Sequence, residues 1–238
     1  MTDVVGADAA ALSAEGAGAG GSEGPPEWIA YEVGYVEAVA RACGTPAGRA
    51  RLRRVLSSAG TVSGWELPVH VARLVPRNPA GRLAYGAVAG MFAAQSPSVS
   101  AGRKEAGTDA VRVWRPGWGN LGWTLRMAVF SGVLHEDSAQ ERLQRLARLS
   151  DLGALVVQCR PLVARVTGEG VPLNWPLLLR DLRRWQERRV DVANDWFFSF
   201  AHGVAPDGGG SGEGSGPGGD AGAVPGGGMD DFNSEEAS

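Results

Sequence analysis

Apolar residues recur at helical spacing through the middle of the chain, from residue 28 to residue 202. The segment "NWPLLLRDLRRWQERR" shows the pattern most clearly, because its apolar positions follow the i, i+3, i+4, i+7 rule of an amphipathic helix. This stripe consists of Trp175, Leu178, Leu179, Leu182 and Trp185. The segment "VDVANDWFFSFAHG" that follows predicts a further helix. The pattern as a whole predicts an all-α protein.

Side chains that cap helices stand at the start of several of these segments. Thr45 and Asn78 each precede a proline, which suits the first position of a helix, and both are therefore predicted N-caps. The helix after Thr45 is expected to stop near Gly60. Further N-cap candidates are Asp137 or Ser138, Asp151 and Asn174. Because the connections between the helices are short, neighbouring helices are predicted to pack antiparallel in a bundle.

The helical pattern is interrupted over residues 97–117, where Ser, Gly and Pro mix with charges of both signs. We interpret this segment as a connecting loop; strand pairing around "AVRVW" is a weaker alternative. The fold class is then a two-lobed helical bundle, with an N-terminal helical lobe at 28–96 and a C-terminal helical bundle at 118–202. Residues 1–27 are Ala/Gly-rich and acidic, and residues 203–238 are Gly-rich and acidic. Both compositions predict disordered tails.

The charge of the chain is strongly segregated. The net charge is −3, but all 23 basic residues lie between Arg41 and Arg189, and 22 of them are arginine. Residues 28–202 contain fourteen acids and therefore carry +9, while the two ends together carry −12. A basic body between acidic ends indicates a polyanionic partner.

Residue patterns typical of catalysis are absent from the sequence. The three histidines are not paired with acids or thiols at metal-ligand spacing, and no phosphate-loop or dinucleotide fingerprint occurs. Asp191 and Asp195 could share one face of a helix, but surface pairing is favoured over a metal site. We therefore expect no enzyme activity, no catalytic residues, no cofactor and no metal.

The spacing of the cysteines and the hydropathy of the chain indicate the cellular compartment rather than a reaction. Cys43 and Cys159 are far apart and show no redox or metal spacing, so each is predicted to be a buried thiol in a reducing compartment. No run of about 18 apolar residues is present, and the N-terminus lacks a secretory pattern. We expect a cytoplasmic protein that does not bind a membrane.

Two dense arginine clusters are the best candidates for a binding site. Four arginines lie opposite the apolar stripe of "NWPLLLRDLRRWQERR": Arg180, Arg183, Arg184 and Arg188. Four more lie in "RARLRR": Arg49, Arg51, Arg53 and Arg54. Each guanidinium can place two donors on phosphate oxygens, so the clusters predict contact with a nucleic-acid backbone. A solvated surface charge is the alternative for any one of them, and Arg126 is a further candidate.

Four segments follow one another in the second half of the chain: "NLGWTLRMAVFSG", "RLQRLARLSDLGAL", "PLNWPLLLRDLRRW" and "DWFFSF". In this order they resemble the C-terminal half of the CasB family, the small subunit of the type I-E CRISPR Cascade complex. In the first half, "RARLRR" followed by "ELPVHVARLVP" is similar to the family's Arg-Arg helix and the short helix after it. The resemblance covers roughly residues 28–202.

The resemblance implies a non-catalytic, all-helical subunit that stabilises the guide RNA–target DNA hybrid and the displaced strand. The implied partners are CRISPR RNA, the target and non-target DNA strands, other Cascade subunits and a second copy of the chain. Arg53 and Arg54 match the family's arginine pair, and Arg82 and Arg160 match further basic positions. Trp123 stands where relatives often carry a basic residue. The alternatives are a structural scaffold whose arginines pair with acidic protein surfaces, and an all-helical nuclease.

Overall fold

The computed structural model describes residues 25–57, 60–95, 113–114 and 117–203. These residues form eight α-helices: α1 Ala30–Cys43, α2 Pro46–Val55, α3 Val69–Ala72, α4 Pro79–Ala94, α5 Leu121–Phe130, α6 Glu136–Arg148, α7 Leu152–Gly168 and α8 Trp175–His202. Two short 3-10 helices, Glu27–Ile29 and Gly64–Glu66, precede α1 and α3. Within the described ranges the only β pairing is an isolated bridge between Leu56 and Val62. The predicted all-α class is confirmed.

Three of the sequence predictions concern parts of the chain that lie mostly outside the described residues. The residues outside the description are 1–24, 58–59, 96–112, 115–116 and 204–238. The two disordered tails, the connecting loop at 97–117 and the strand around "AVRVW" stay predictions.

The predicted caps begin four of the helices. The carbonyl-type side-chain oxygen of Asn78 accepts a hydrogen bond from the Gly81 amide at 2.6 Å, and that of Asn174 accepts from Leu177 at 3.1 Å. The remaining two are Thr45, which accepts from Gly48 at 3.1 Å, and Asp151, which accepts from Ala154 at 2.7 Å. Each bond satisfies an amide that the first turn leaves without an intrahelical partner.

Two helix limits differ from the prediction. α6 begins at Glu136 with His135 at its N-cap, so Asp137 and Ser138 lie inside its first turn. There the carboxylates of Glu136 and Asp137 stabilise the helix through its dipole rather than as caps. α2 ends at Val55 and not near Gly60, because the chain reverses through the bridge at Leu56.

Helix α4 lies at the centre of the described fold and packs against α1, α2, α7 and α8. Its glycines permit this, since a Cβ on Gly86 would lie 2.3 Å from a methyl of Val62, and one on Gly90 would lie 2.7 Å from Cβ of Leu56. The absence of side chains at these positions lets the neighbouring backbone approach closely. Almost all of α4 is buried, so it connects the arginine-bearing elements on either side.

Helix α8 bends sharply at Arg188, whose φ of −135° and ψ of 40° are not helical. The indole nitrogen of Trp196 donates to the Asp181 carboxylate at 2.6 Å, and the rings of Trp185 and Trp196 stack with centroids 5.1 Å apart. In a straight helix, residues fifteen positions apart would be separated by about 22 Å. The bend therefore brings two arms of α8 together, where the sequence predicted two separate helices.

The motifs that resemble the CasB family hold α5 and α8 together. A Cβ on Gly122 would lie 1.8 Å from the carbonyl oxygen of Trp196, so this position requires glycine. Asn120 donates to the Asp195 carbonyl at 3.1 Å, and Asn174 donates to the Trp118 carbonyl at 2.9 Å. Each asparagine thus caps its own helix, α5 for Asn120 and α8 for Asn174, and also donates to a carbonyl of another segment. This double role explains why both helices begin after this residue type.

The burial of the cysteines and the hydropathy of the helices bear on two further sequence predictions. Cys43 and Cys159 are free and buried, and burial raises the pKa of their thiols to about 11 and about 12. Both are therefore protonated thiols at neutral pH. In the described ranges no helix combines the length and the apolar character needed to span a bilayer.

Candidate nucleic-acid interface

The α2 cluster, defined as Arg49, Arg51, Arg53 and Arg54, is presented by a helix whose apolar face is fully buried. Leu52 and Val55 have no exposed surface and fix α2 against α4. Two of the arginines reach the C-terminal end of α4: Arg49 donates to the Gln95 carbonyl at 2.9 Å, and Arg53 donates to the Ala93 carbonyl at 3.0 Å. Cations are favourable at a helix C-terminus, because its carbonyls lack intrahelical donors.

The other two arginines of the α2 cluster share a single carboxylate. Two nitrogens of Arg54 each lie 3.2 Å from an oxygen of Glu66. Arg51 donates to the Trp65 carbonyl at 2.9 Å, and its Nε lies 3.9 Å from the same Glu66 carboxylate. Among the described contacts of Arg51, Arg53 and Arg54, Glu66 is the one acid. These three arginines therefore carry a net charge of +2.

The α8 cluster, defined as Arg180, Arg183, Arg184 and Arg188, has more partners. Arg183 forms an ion pair with Glu32 of α1, whose side chain is only 5% exposed. Two longer pairs join Arg184 to Asp195 at 4.0 Å and Arg188 to Asp191 at 3.8 Å. The guanidinium of Arg180 lies over the ring of Trp28, 4.3 Å from its centroid. The four arginines that lie opposite the apolar stripe are therefore not a row of free charges, because three of them have a carboxylate nearby.

The acids of α8 are structural. Asp191 and Asp195 pair with arginines, as the surface-pairing interpretation expected. Asp181 is buried, and this burial raises the pKa of its carboxyl to about 7, although the hydrogen bond from Trp196 and the nearby arginines lower it. Within the described residues no group of three or more His, Cys, Asp or Glu side chains could hold a metal ion.

A cleft of about 460 Å³ separates the start of α8 from the start of α4. Its lining includes Trp28, Asn78 and Gly81 on one side and three arginines of the α8 cluster on the other. A second cleft of about 830 Å³ is lined by Arg77 and Arg82 and is mostly apolar. Pro76 lines both clefts, but Arg82 lines only the second. The Arg82 side chain is exposed, and within the described residues it makes no hydrogen bond or ion pair.

The two clusters lie at opposite ends of α4. The α2 cluster binds the carbonyls of Ala93 and Gln95, whereas the α8 cluster faces Asn78 and Gly81. Twelve to seventeen residues separate these anchors, which is about 18–26 Å along a helix axis. This length corresponds to about five to eight base pairs along a duplex axis. The structure thus places the two arginine clusters at opposite ends of α4.

Two further predicted arginines have mainly structural contacts. Arg160 of α7 donates to the Ser57 carbonyl at 3.2 Å and so attaches α7 to the chain after α2. Arg126 of α5 forms an ion pair of 2.7 Å with Glu136, and its guanidinium lies 4.5 Å from the ring centroid of Phe130. Trp123, the position at which the resemblance led us to expect a basic residue, is a core side chain with 7% exposure.

Sequence reasoning missed the residues that surround the arginines. Glu32 and Glu66 decide how much positive charge each cluster retains, yet both look like ordinary surface acids in the sequence. Trp65 was also missed, although it is 78% exposed beside the α2 cluster. Its position directly before Glu66, in a short turn between two helices, is the one signal that could have drawn attention to it.

The fold is similar to that of chains in solved structures of CRISPR RNA-guided surveillance complexes. One similar chain, from a structure described as a CRISPR RNA-guided surveillance complex in a pre-nicking state, is 32% identical with a TM-score of 0.61, covering 73% of this chain and 93% of that one. A chain of another CRISPR RNA-guided surveillance complex is 28% identical with a TM-score of 0.55, covering 73% and 92%.

The family model described as CRISPR-associated protein Cse2 matches residues 48–200, and the chain belongs to this family. CasB from Thermobifida fusca shares the fold at 18% identity and a TM-score of 0.51, over 71% of this chain and 97% of that one. The resemblance to the CasB family is therefore confirmed. No curated protein matches the sequence. The family match begins at residue 48, so Trp28 and Glu32 lie outside it.

Proposed function

We propose that this protein is the non-catalytic small subunit of a type I-E CRISPR interference complex and that its arginine surfaces bind nucleic-acid backbone. The observation that carries the proposal is the family match over residues 48–200 together with the net positive α2 cluster inside that range. A relative within a surveillance complex is covered over 93% of its length, which supports the same placement for this chain.

In this function the guide RNA reads the sequence and the protein stabilises the open state. Pairing between guide and target determines specificity, while contacts to phosphates hold the hybrid and the displaced strand apart. The α2 cluster suits this role because α4 and Glu66 fix its guanidinium groups before any ligand binds. Pre-ordered side chains lose less conformational entropy on binding. The partners are then CRISPR RNA, both DNA strands, other Cascade subunits and a second copy of the chain.

The test is a charge reversal in the reconstituted complex. Arg53→Glu with Arg54→Glu removes two phosphate contacts and adds repulsion, so we expect target affinity to fall at least about tenfold and the R-loop to dissociate faster. The matched control is Arg142→Glu with Arg145→Glu on α6, which changes the charge equally at exposed positions that belong to neither cluster and also removes the exposed Arg145–Glu141 pair. We expect this control to stay within about twofold of wild type, the range of a change that touches no phosphate.

Two readouts separate the possible explanations. Because Arg53 also binds the Ala93 carbonyl, thermal unfolding and the milder pair Arg53→Gln and Arg54→Gln show whether the loss comes from misfolding. Unchanged target affinity and R-loop lifetime in a folded, assembled variant would refute the assigned role. Loss of assembly with normal affinity would instead indicate a scaffold whose arginines pair with acidic protein surfaces.

A further inference from the structure

Trp65 is the most exposed of the large apolar side chains in the described part of the chain, with 78% of its surface accessible. An indole is among the largest apolar groups in proteins and normally contributes 150–250 Å² of burial, so leaving it in water forgoes a large stabilisation. Its exposure is not needed for the fold, because the backbone bonds of the 3-10 turn Gly64–Glu66 do not involve the ring.

The backbone at Trp65 is firmly held by the α2 cluster. Arg51 donates to the Trp65 carbonyl at 2.9 Å, and the next residue, Glu66, binds Arg54 through both carboxylate oxygens. The Glu66 amide also bonds to the Ser63 carbonyl at 3.1 Å. These contacts place an exposed aromatic residue directly beside two guanidinium groups that are about half exposed, at 49% for Arg51 and 59% for Arg54.

We propose that Trp65 is a stacking platform for an unpaired base of a single nucleic-acid strand, with Arg51 and Arg54 on the flanking phosphates. Proteins that bind single strands combine an aromatic surface for the base with positive charge for the backbone. A duplex buries its base faces, so this site selects single-stranded nucleic acid. The inference rests on the proposed function, and it adds base contact to a cluster otherwise assigned to backbone contact alone.

The charge around Trp65 favours a strand over a protein partner. Trp65 is adjacent to Arg51 and Arg54, which share a single carboxylate, and this surplus of positive charge attracts a polyanionic strand. Phe198 on α8 is a useful contrast, since it is 65% exposed but stacks on His202, with ring centroids 6.4 Å apart. It therefore serves as an exposed aromatic residue outside the α2 cluster.

The experiment compares Trp65→Ala and Trp65→Phe in the full chain. The probes are a single strand of about 12 nucleotides, the same strand as a duplex, and an abasic strand with the same number of phosphates. We expect Trp65→Ala to weaken binding of the single strand by about 5- to 150-fold, the value of one base stacked on an aromatic ring. Trp65→Phe should keep most of the affinity. Duplex binding and the salt dependence should be unchanged, because no phosphate contact is lost.

The abasic strand and two control variants make the result specific. Wild type and Trp65→Ala should bind the abasic strand equally, since no base is present to stack. Phe198→Ala and Val69→Ala should leave single-strand affinity within about twofold, since neither removes a stacked base. Val69 is an exposed apolar residue four positions after Trp65, so it tests for a general apolar docking face.

Several outcomes would overturn the inference. In the first, Trp65→Ala weakens binding of the abasic strand as much as binding of the intact strand. In the second, Val69→Ala weakens single-strand binding as much as Trp65→Ala does. In the third, the wild type shows no detectable single-strand binding at about 50 mM salt. A change in self-association or complex assembly with unchanged strand affinity would assign Trp65 to a protein contact instead. If the Arg53–Arg54 reversal weakens strand binding but Trp65→Ala does not, the stacking site fails while the proposed function stands. If the reversal has no effect, the proposed function fails first.

Discussion

The arginines of α2 and those of α8 carry the same charge but have different neighbours. In the α2 cluster, Arg53 binds a helix carbonyl, and Arg51 and Arg54 share one acid. In the α8 cluster, three of four arginines each have a carboxylate within ion-pair distance, and the fourth lies over Trp28. The α2 cluster therefore retains surplus charge at its surface, while much of the charge of α8 is compensated within the fold.

The difference shows that a high density of arginine does not by itself make a binding surface. A carbonyl partner orients a guanidinium without cancelling its charge, whereas a carboxylate partner cancels it. The α8 cluster also contains the only ion pair of the described residues with an almost fully buried acid, which makes it part of the framework. We therefore expect changes in α8 to affect mainly stability and changes in α2 to affect mainly nucleic-acid binding.

The largest expected effect is a decrease in the free energy of unfolding caused by Arg183→Met. This change leaves Glu32 buried without its partner, and we expect a loss of about 2–3 kcal/mol, less than the ~3–5 kcal/mol of a fully buried pair because Arg183 keeps 41% exposure. Urea unfolding measures it. The double variant Glu32→Gln with Arg183→Met should recover most of the loss, and a single variant as stable as wild type would contradict the framework role of α8.

The second prediction concerns the pH dependence of the free energy of unfolding that is caused by Asp181 in α8. Because burial raises the pKa of this carboxyl to about 7, the folded protein holds its proton more tightly than the unfolded chain does. Its contribution to stability is complete below about pH 4 and is lost as the pH rises through 7. Between pH 6 and pH 8 the wild type should lose about 1–2 kcal/mol relative to Asp181→Asn.

Thermal or urea unfolding at both pH values measures this difference. The comparison with Asp181→Asn cancels the pH effects that the two proteins share. The groups that face Asp181 are Trp196, Arg180, Arg184 and Asp195. A stability difference that does not change with pH would show that Asp181 is ionised in the folded protein.

The third prediction is for Arg54→Gln in the α2 cluster. We expect nucleic-acid affinity to fall about 5- to 10-fold and the slope of log affinity against log salt to decrease by about one, as one phosphate contact is lost. Stability should change by less than about 1 kcal/mol, because the Arg54–Glu66 pair is exposed on the arginine side. A titration of salt with a labelled strand provides both values, and an unchanged slope would remove Arg54 from the interface.

The smallest effect is expected for Arg188→Gln in the α8 cluster. Its pair with Asp191 is exposed on both sides, at 64% and 58%, so the free energy of unfolding should change by less than about 0.5 kcal/mol. Nucleic-acid affinity should stay within about twofold, because the neighbouring acid already offsets the charge. Urea unfolding and strand binding test this together, and a loss equal to that of Arg54→Gln would place the α8 surface in the interface as well.

The sequence by itself determined the features that depend on nearby residues. The helical period, the caps at Asn78 and Asn174, and the burial of the stripe from Trp175 to Trp185 all follow from interactions within a few positions. Local bonds of this kind form wherever the residue types occur in the right order. The same ordered motifs were also sufficient to indicate the CasB family.

Only the tertiary structure decided which arginines keep their charge at the surface. Glu32 meets Arg183 across 151 positions, and Arg53 meets the Ala93 carbonyl across 40. The bend at Arg188 likewise brings Asp181 and Trp196 together across 15 positions. Pairings of this kind are fixed by how helices pack around α4, and no local pattern encodes them. The exposure of Trp65 beside the α2 cluster is set in the same way, by the turn that returns the chain to α2.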